Sequence, residues 1–294
     1  MFKGSIVAIV TPLKEGRVDE KAMADLINFH LEAGTNGIVP CGTTGESATL
    51  SHEEHRRVIE MTIEVVGGRV PVIAGTGSNS TEEAITLTRH AKSVGAAGAL
   101  LITPYYNKPM QEGLFRHFKL IAERVDLPQI LYNIPGRTGV NMLPETVARL
   151  TDFENIVGIK EGSGSIQQMT EVIRRCGERL CVLSGDDGLT LPLMAVGGSG
   201  VISVTANIVP SEMVQMTSAA ERGDFSEARK WDAKLHPLHR DLFLETNPVP
   251  VKAALSMMGK CSKEVRLPLS PLSEESLRTL KGSLEAYGLV LKAT

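Results

Sequence analysis

The sequence lacks an excess of positive charge, a dense set of cysteines and a long hydrophobic run. Its 294 residues carry 31 lysines and arginines against 34 aspartates and glutamates, which gives a formal net charge of −3. This balance argues against a nucleic-acid footprint or a polybasic membrane surface. We therefore expect small-molecule chemistry, with no nucleic acid and no membrane as partners.

The few cysteines exclude two further classes of protein. Cys41, Cys176, Cys181 and Cys261 show no C-x-x-C spacing, so we expect reduced thiols and neither a disulfide framework nor a zinc site. The first segment, "MFKGSIVAIVTPLKEG", is too short for a membrane span and lacks the charged start and cleavage site of a signal peptide. The sequence therefore predicts a cytoplasmic protein.

Short apolar runs rich in β-branched residues recur along the chain and alternate with segments of helical periodicity. Consecutive apolar residues suit strands that are buried on both faces of a parallel sheet. An open doubly wound sheet is the alternative, but the first strand-to-helix turn, "TPLKEGRVDE", lacks the glycine fingerprint of a dinucleotide site. We therefore predict a (β/α)8 TIM barrel, an α/β fold, with eight strands in "SIVAIV", "GIVPCG", "PVIAGTG", "GALLITP", "PQILYN", "IVGIKEG", "LCVLSGDD" and "GVISVTAN".

Beyond Ala220 the pattern changes to helices alone. No low-complexity tract or long flexible linker separates these helices from the preceding units, so they should pack against the barrel. We predict a catalytic barrel over residues 1–223 and a C-terminal helical domain over residues 224–294.

Lys160 stands at the end of the sixth apolar run, where the chemistry of such barrels is located. Enclosure by Ile156, Val157 and Ile159 removes water from the charged amine and favours the neutral nucleophile, which suits a Schiff base with a carbonyl substrate. The alternative is a lysine that reaches the barrel rim or pairs with Glu161. Position alone leaves both possibilities open.

Tyr132 ends the preceding strand, so a closed barrel should bring its hydroxyl beside Lys160. A phenol at this place can transfer protons while the carbinolamine dehydrates. The alternative is an interior tyrosine with a satisfied hydroxyl.

The segment "GTTGES" after the second strand offers two hydroxyls, and the amides of its turn can accept a carboxylate. It is a poor phosphate loop, because it lacks the Walker lysine and Glu46 would repel phosphate. A plain strand-to-helix turn is also expected, with Ser51 capping the next helix and Glu54 completing a capping box. Both interpretations can hold, because they use different residues of this stretch.

Three other groups of polar residues have competing interpretations. Arg137 in "PGRTG" is either an exposed arginine in a turn or a residue whose planar guanidinium group binds a second carboxylate. Asp186 and Asp187 make the region after the seventh strand acidic, which disfavours phosphosugars. The histidine pairs, His52 with His55 and His236 with His239, have no third ligand in view, and we predict no metal.

Taken in order, "GTTGES", "TPYYN", "LYNIPGRTG", "GIKEG", "SGDD", "GVISVTAN" and "ETNPVPVKAAL" resemble the dihydrodipicolinate synthase family of lysine and diaminopimelate biosynthesis, across essentially the whole chain. The resemblance implies a lyase that condenses pyruvate with aspartate semialdehyde and needs no metal or organic cofactor. It implies that Lys160 forms the Schiff base with pyruvate and that Tyr132 transfers protons beside it. Thr43 would link Tyr132 to Tyr106 of a neighbouring subunit.

The resemblance also implies binding sites. The pyruvate carboxylate would be held by Thr44 and the backbone at Ile202, with Gly185 nearby, and Arg137 would receive the carboxylate of aspartate semialdehyde. The family is usually a homotetramer, a dimer of dimers. Some members are inhibited by lysine at a dimer cleft, and the residues that match this site are Ser47, Ala48, His52, His55, Asn79, Glu83 and Tyr105.

Two competing interpretations remain at this level. Another pyruvate Schiff-base aldolase, such as an N-acetylneuraminate lyase or a keto-deoxy sugar acid aldolase, would share Lys160 and Tyr132. "GTTGE" and "PGRTG" fit the synthase better, because a sialic-acid lyase typically has serine in the first motif and lacks this arginine. A non-enzymatic protein, either a keto-acid sensor or a structural scaffold, is the other possibility, and it would not need the Lys160 amine.

Overall fold

A computed structural model describes residues 2–292 of the chain. Eight parallel strands form one sheet, and each predicted run coincides with one strand: β1 Gly4–Ala8, β2 Gly37–Val39, β3 Ile73–Gly75, β4 Gly98–Ile102, β5 Gln129–Asn133, β6 Ile156–Glu161, β7 Cys181–Ser184 and β8 Gly200–Ser203. Their order in the sheet is β2-β1-β8-β7-β6-β5-β4-β3. A parallel bridge between Ile38 on β2 and Val72, just before β3, closes the barrel. The predicted TIM barrel is confirmed.

Helices surround the barrel and extend beyond it. A short hairpin, Leu13–Lys14 with Arg17–Val18, follows β1. Single 3₁₀ turns occur at Ser47–Thr49, Gly177–Arg179, Asp187–Leu189 and Thr205–Asn207. The α-helices are α1 Glu20–Glu32, α2 His52–Val66, α3 Thr81–Ser93, α4 Gln111–Arg124, α5 Pro135–Thr138, α6 Pro144–Leu150, α7 Ile166–Cys176, α8 Thr190–Ala195, α9 Pro210–Glu221, α10 Phe225–Asp241, α11 Val249–Met257 and α12 Glu274–Tyr287.

Buried apolar side chains form a large layer between strands and helices and a smaller cluster inside the barrel. In a strand, alternate side chains point to opposite faces. On β6, Ile159 belongs to the outer layer, and a Cβ at Gly158 would lie 2.6 Å from Sγ of the interior Cys181. The inward positions of β6 are therefore Gly158 and Lys160, so this strand brings an amine into the interior where the other strands bring apolar groups.

The C-terminal helices pack against the barrel, as predicted. The fully buried ammonium of Lys252, on α11, lies 2.6 Å from a carboxylate oxygen of Glu46 in the "GTTGES" segment. Arg266, between α11 and α12, pairs with Glu54 on α2 and donates to the carbonyl of Thr49. The division into domains at residues 223 and 224 stays a prediction.

The cysteines and the hydropathy of the helices relate to two of the predictions made from composition. All four cysteines are unpaired, and three of them are buried. Across residues 2–292, none of the helices combines the length and the hydropathy that a membrane span needs.

The predicted capping box at the start of α2 is confirmed. Glu54 N–H donates to Ser51 Oγ at 3.1 Å, and Ser51 N–H donates to Glu54 Oε2 at 2.9 Å. The pKa of Glu54 is lowered to about 2, mainly by hydrogen bonds from Arg266 and also by hydrogen bonds from Ser51. A carboxyl whose pKa is depressed in the folded state stabilises the fold above its unfolded pKa, and this contribution disappears as pH falls through the folded value.

Glu54→Gln should therefore lower stability at pH 7, by about 1 kcal/mol, and the difference should shrink as pH falls from about 4.5 towards 2. Urea unfolding of both proteins at several pH values measures this. A difference that is independent of pH would contradict the assignment, because glutamine retains the neutral capping interaction.

Candidate active site

Lys160 and Tyr132 face each other on adjacent strands. Their Cα atoms are partners in the parallel register of β5 and β6, and both residues are 5% exposed. The Lys160 Nζ atom lies 4.2 Å from the centroid of the Tyr132 ring. Because both side chains point inward from neighbouring strand ends, the predicted amine and phenol share one place at the carboxyl end of the barrel.

Glu161, the next residue, is directed away from Lys160. Its buried carboxylate accepts hydrogen bonds from Asn133 Nδ2, from Ser163 N–H at 2.7 Å and from Gln168 Nε2. Neighbouring residues on a strand lie on opposite faces, so a pair between Lys160 and Glu161 does not form. The alternative interpretation of Lys160 as the partner of Glu161 is wrong, and this carboxylate instead holds the ends of β5 and β6 together.

The "GTTGES" loop turns sharply after β2. Cys41 adopts a φ of +54°, and a Cβ at Gly75 would lie 2.1 Å from the carbonyl oxygen of Cys41, so this close approach requires glycine. The turn carries Thr43 to the wall of a cavity of about 260 Å³, which Tyr132 also lines. The predicted neighbours Thr43 and Tyr132 are therefore brought together at one cavity.

Thr44 and Arg137 are connected through Asn247. The Asn247 Nδ2 donates to Thr44 Oγ1 at 3.0 Å, and Arg137 Nη2 donates to the Asn247 carbonyl oxygen at 3.1 Å. Thr44 is buried and Arg137 is exposed. Asn247 lies in the segment "ETNPVPVKAAL" but was not among the residues predicted for the site.

Gly185 and Ile202 end the neighbouring strands. Gly185 follows β7 and donates its N–H to the carbonyl of Glu161 at 2.8 Å, and a Cβ there would approach Gly162 Cα to 3.0 Å. Ile202, on β8, belongs with Tyr132 to the cluster inside the barrel. Both lie at the expected end of the barrel.

Asp187 joins β7 to β8. Its carboxylate accepts hydrogen bonds from the Ser203 hydroxyl and from the N–H groups of Val204 and Thr205, both at 3.0 Å. Backbone amides after the last strands are the groups with which barrels usually hold a phosphate. Since a carboxylate of the chain occupies these amides, the exclusion of phosphosugars gains a physical reason.

The residues predicted for lysine binding gather at the same cavity. All except Asn79 line it, and Asn79 donates to the carbonyl of Tyr105 at 3.3 Å. His52 Nε2 lies 3.3 Å from Glu83 Oε1. Burial lowers the pKa of His55 to about 4, so this ring is neutral at pH 7.

Tyr106 does not line this cavity. It is 90% exposed and has a φ of +71°.

The second histidine pair is separate from the proposed site, because His239 Nδ1 lies 2.9 Å from Thr205 Oγ1. Among residues 2–292, no cluster of three or more His, Cys, Asp or Glu side chains is arranged to hold a metal ion.

The chain is similar to known proteins over nearly its whole length. The model of the dihydrodipicolinate synthetase family matches residues 1–287. A relative from Citrifermentans bemidjiense, named 4-hydroxy-tetrahydrodipicolinate synthase, is 62% identical over 290 residues, which cover 99% of this chain and 100% of the relative.

Solved structures of dihydrodipicolinate synthases also match nearly the whole chain. Dihydrodipicolinate synthase from Aquifex aeolicus superposes with a TM-score of 0.98 at 52% identity, covering 99% of this chain and 100% of that one. The chloride-inhibited synthase from Acinetobacter baumannii, complexed with pyruvate, gives 0.97 at 50% identity, with the same coverage. The synthase from Cyanidioschyzon merolae with lysine bound gives 0.95 at 40%, covering 98% of this chain and 99% of that one. On the evidence of its barrel, its site and these full-length similarities, this chain belongs to the dihydrodipicolinate synthetase family.

Proposed function

We propose that this enzyme condenses pyruvate with L-aspartate 4-semialdehyde to give 4-hydroxy-tetrahydrodipicolinate, in the diaminopimelate route to lysine. The observation that carries the proposal is the buried Lys160 amine over the Tyr132 ring at the carboxyl end of the barrel. Full-length relatives named for this reaction support the choice of substrates.

The reaction begins when the neutral Lys160 amine attacks the keto carbon of pyruvate. Loss of water from the carbinolamine gives the imine, and loss of a methyl proton gives the enamine. The Tyr132 hydroxyl donates and accepts these protons, and Thr43 relays them to Tyr106 of a neighbouring subunit. Apolar side chains of the neighbouring strands form the cluster inside the barrel to which Tyr132 belongs, so they surround the place where this step occurs.

The enamine carbon then forms a bond to the aldehyde carbon of the semialdehyde. The substrate's own amino group next attacks the imine carbon, closes the ring and releases Lys160 as a free amine. Thr44, the backbone of Ile202 and the region of Gly185 hold the pyruvate carboxylate, and Arg137 binds the second carboxylate through its guanidinium. This assignment is supported by the location of all four at the same end of the barrel.

The test compares substrates on one purified protein. Condensation of pyruvate with aspartate semialdehyde is expected, with no cleavage of N-acetylneuraminate or of keto-deoxy sugar acids. Cleavage of a sugar acid with no condensation would assign the chain to another pyruvate aldolase. Binding of pyruvate without any turnover would favour the keto-acid sensor.

Assembly is part of the same proposal. A relay through Tyr106 needs a second subunit, and the exposed Tyr106 and Met110, 90% and 82% exposed, support an interface at this surface. We propose a homotetramer built from two such dimers, acting in the cytoplasm. Sedimentation velocity is expected to give the tetramer, and a monomer with full activity would exclude the shared relay.

We also propose that lysine inhibits the enzyme by binding beside Ser47, Ala48, His52, His55, Asn79, Glu83 and Tyr105. The Cyanidioschyzon merolae synthase with lysine bound supports this regulation. The cavity that all of these residues except Asn79 line also reaches Tyr132 and Thr43, so a ligand there would lie close to the proton relay.

Glu83→Gln should weaken lysine binding by at least about tenfold, since a hydrogen bond between the carboxylate and an ammonium group is worth about 1.5–3 kcal/mol. Calorimetric titration with lysine and inhibition of turnover measure the effect. The matched control is the exposed neighbour, Glu82→Gln, which should bind lysine as the parent does. Equal weakening in both variants would point to a general charge effect.

A further inference from the structure

Asn247 contacts both residues that the proposed function assigns to substrate carboxylates. It lies between α10 and α11, in the C-terminal helical segment, and is 4% exposed. Its side-chain amide reaches Thr44, and its backbone carbonyl oxygen reaches Arg137. The two contacts use different parts of one residue, so they can be changed separately.

The contact with Thr44 determines what the threonine hydroxyl can offer a substrate. A hydroxyl has one proton to donate and can accept on its oxygen, whereas a carboxylate only accepts. In the structure Asn247 Nδ2 is the donor and Thr44 Oγ1 the acceptor, at 3.0 Å. The Thr44 proton is therefore free for an anion, and an accepted hydrogen bond polarises the hydroxyl towards donating.

The contact with Arg137 acts on the second carboxylate. The guanidinium is exposed, and its Nη2 atom is held at 3.1 Å by the Asn247 carbonyl oxygen. A long arginine side chain loses rotamer freedom when it is fixed, so a held guanidinium binds a carboxylate at a lower entropic cost.

We propose that Asn247 is a positioning residue that keeps Thr44 a hydrogen-bond donor to the pyruvate carboxylate and, through its carbonyl oxygen, holds Arg137 for the second substrate. The inference rests on the proposed function. The C-terminal segment would then take part in substrate selection. An amide at position 247 favours the binding of an anion at Thr44, whereas a carboxylate at position 247 would oppose it.

Asn247→Asp is the discriminating variant because it keeps the shape and the backbone carbonyl. The new carboxylate would accept the Thr44 proton and repel the pyruvate carboxylate, while the contact with Arg137 remains. The pyruvate concentration for half-maximal turnover should rise at least about tenfold, which corresponds to about 1.4 kcal/mol. The KM for the semialdehyde, and kcat at saturating pyruvate, should change by less than about threefold, because the chemical step is untouched.

Two further variants identify the cause. Asn28→Asp adds the same charge on the exposed surface of α1 and should leave both KM values unchanged. In a Thr44→Val background, Asn247→Asp should add much less to the KM for pyruvate than it does alone, since the hydroxyl it acts through is absent. Full additivity would show that the aspartate acts by charge alone and would overturn the inference.

A folding defect is controlled by Asn247→Ala, which adds no charge and leaves the backbone carbonyl. It should raise the KM for pyruvate by less than the aspartate does, with the semialdehyde KM unchanged and circular dichroism like the parent's. An equal rise in both KM values, or a loss confined to kcat, would contradict the inference. Failure of the parent protein to form a pyruvate adduct at Lys160 would instead contradict the proposed function.

Discussion

Lys160→Ala is expected to abolish the pyruvyl adduct that borohydride reduction traps and to lower kcat by at least about 10⁴-fold. The reason is that the covalent route needs this amine: it is buried, faces Tyr132 across the register of β5 and β6, and has no substitute on the interior side of β6, where Gly158 is the other inward residue. Peptide mass mapping after reduction locates the adduct, and a coupled assay gives the rate.

The control is an exposed lysine on the hairpin. Lys14→Ala removes an amine of the same chemistry from the surface and should keep both adduct and turnover. An adduct that persists in Lys160→Ala, or folded Lys160→Ala with near-normal turnover, would remove the Schiff base from this position. Circular dichroism of the variant excludes a trivial loss through unfolding.

Lys252→Met should lower the free energy of unfolding by about 3–5 kcal/mol, because it leaves a buried carboxylate without its partner. The side chains of Lys252 and Glu46 are 0% and 1% exposed, with 2.6 Å between the charged atoms. Glu46 also accepts a hydrogen bond from the backbone N–H of Arg266 at 3.1 Å, so this carboxylate connects the "GTTGES" loop to the C-terminal segment. Urea unfolding gives the change in stability.

Two comparisons make this prediction specific. Lys230→Met removes an exposed pair with Glu227, three positions earlier on α10, and stability should change by about 0.5 kcal/mol or less. The double variant Glu46→Leu with Lys252→Met removes both charges and should regain much of the loss. If Lys252→Met costs no more than Lys230→Met, the buried pair does not stabilise the loop.

The fold and the central pair of residues were accessible from the sequence because they depend on local patterns. Each strand is a short apolar run followed by polar residues, and successive parallel strands place their ends side by side. Lys160 and Tyr132 end two consecutive runs, so their proximity follows from the topology. The capping box of Ser51 and Glu54 was equally local, since its two members are only three positions apart in the sequence.

Other features depended on contacts across the chain that no periodicity indicates. Asn247 meets Thr44 over a separation of 203 residues, and Lys252 meets Glu46 over 206. The packing of α11 on the barrel determines both contacts, and this packing is a property of the whole fold. The orientation of Glu161 was undetermined for a related reason, because a continuous apolar run does not reveal which strand face points inward.

The docking of Asn247, Lys252 and Arg266 on the "GTTGES" loop also has a consequence for biosynthesis. A ribosome makes the loop about 200 residues before the groups that hold it, and nascent chains fold from the N-terminus onwards. The barrel strands can assemble while Glu46 is still without its ammonium partner. A nascent chain therefore acquires the geometry of its proposed substrate site only after the segment around residues 247–266 has been synthesised and has docked on the loop.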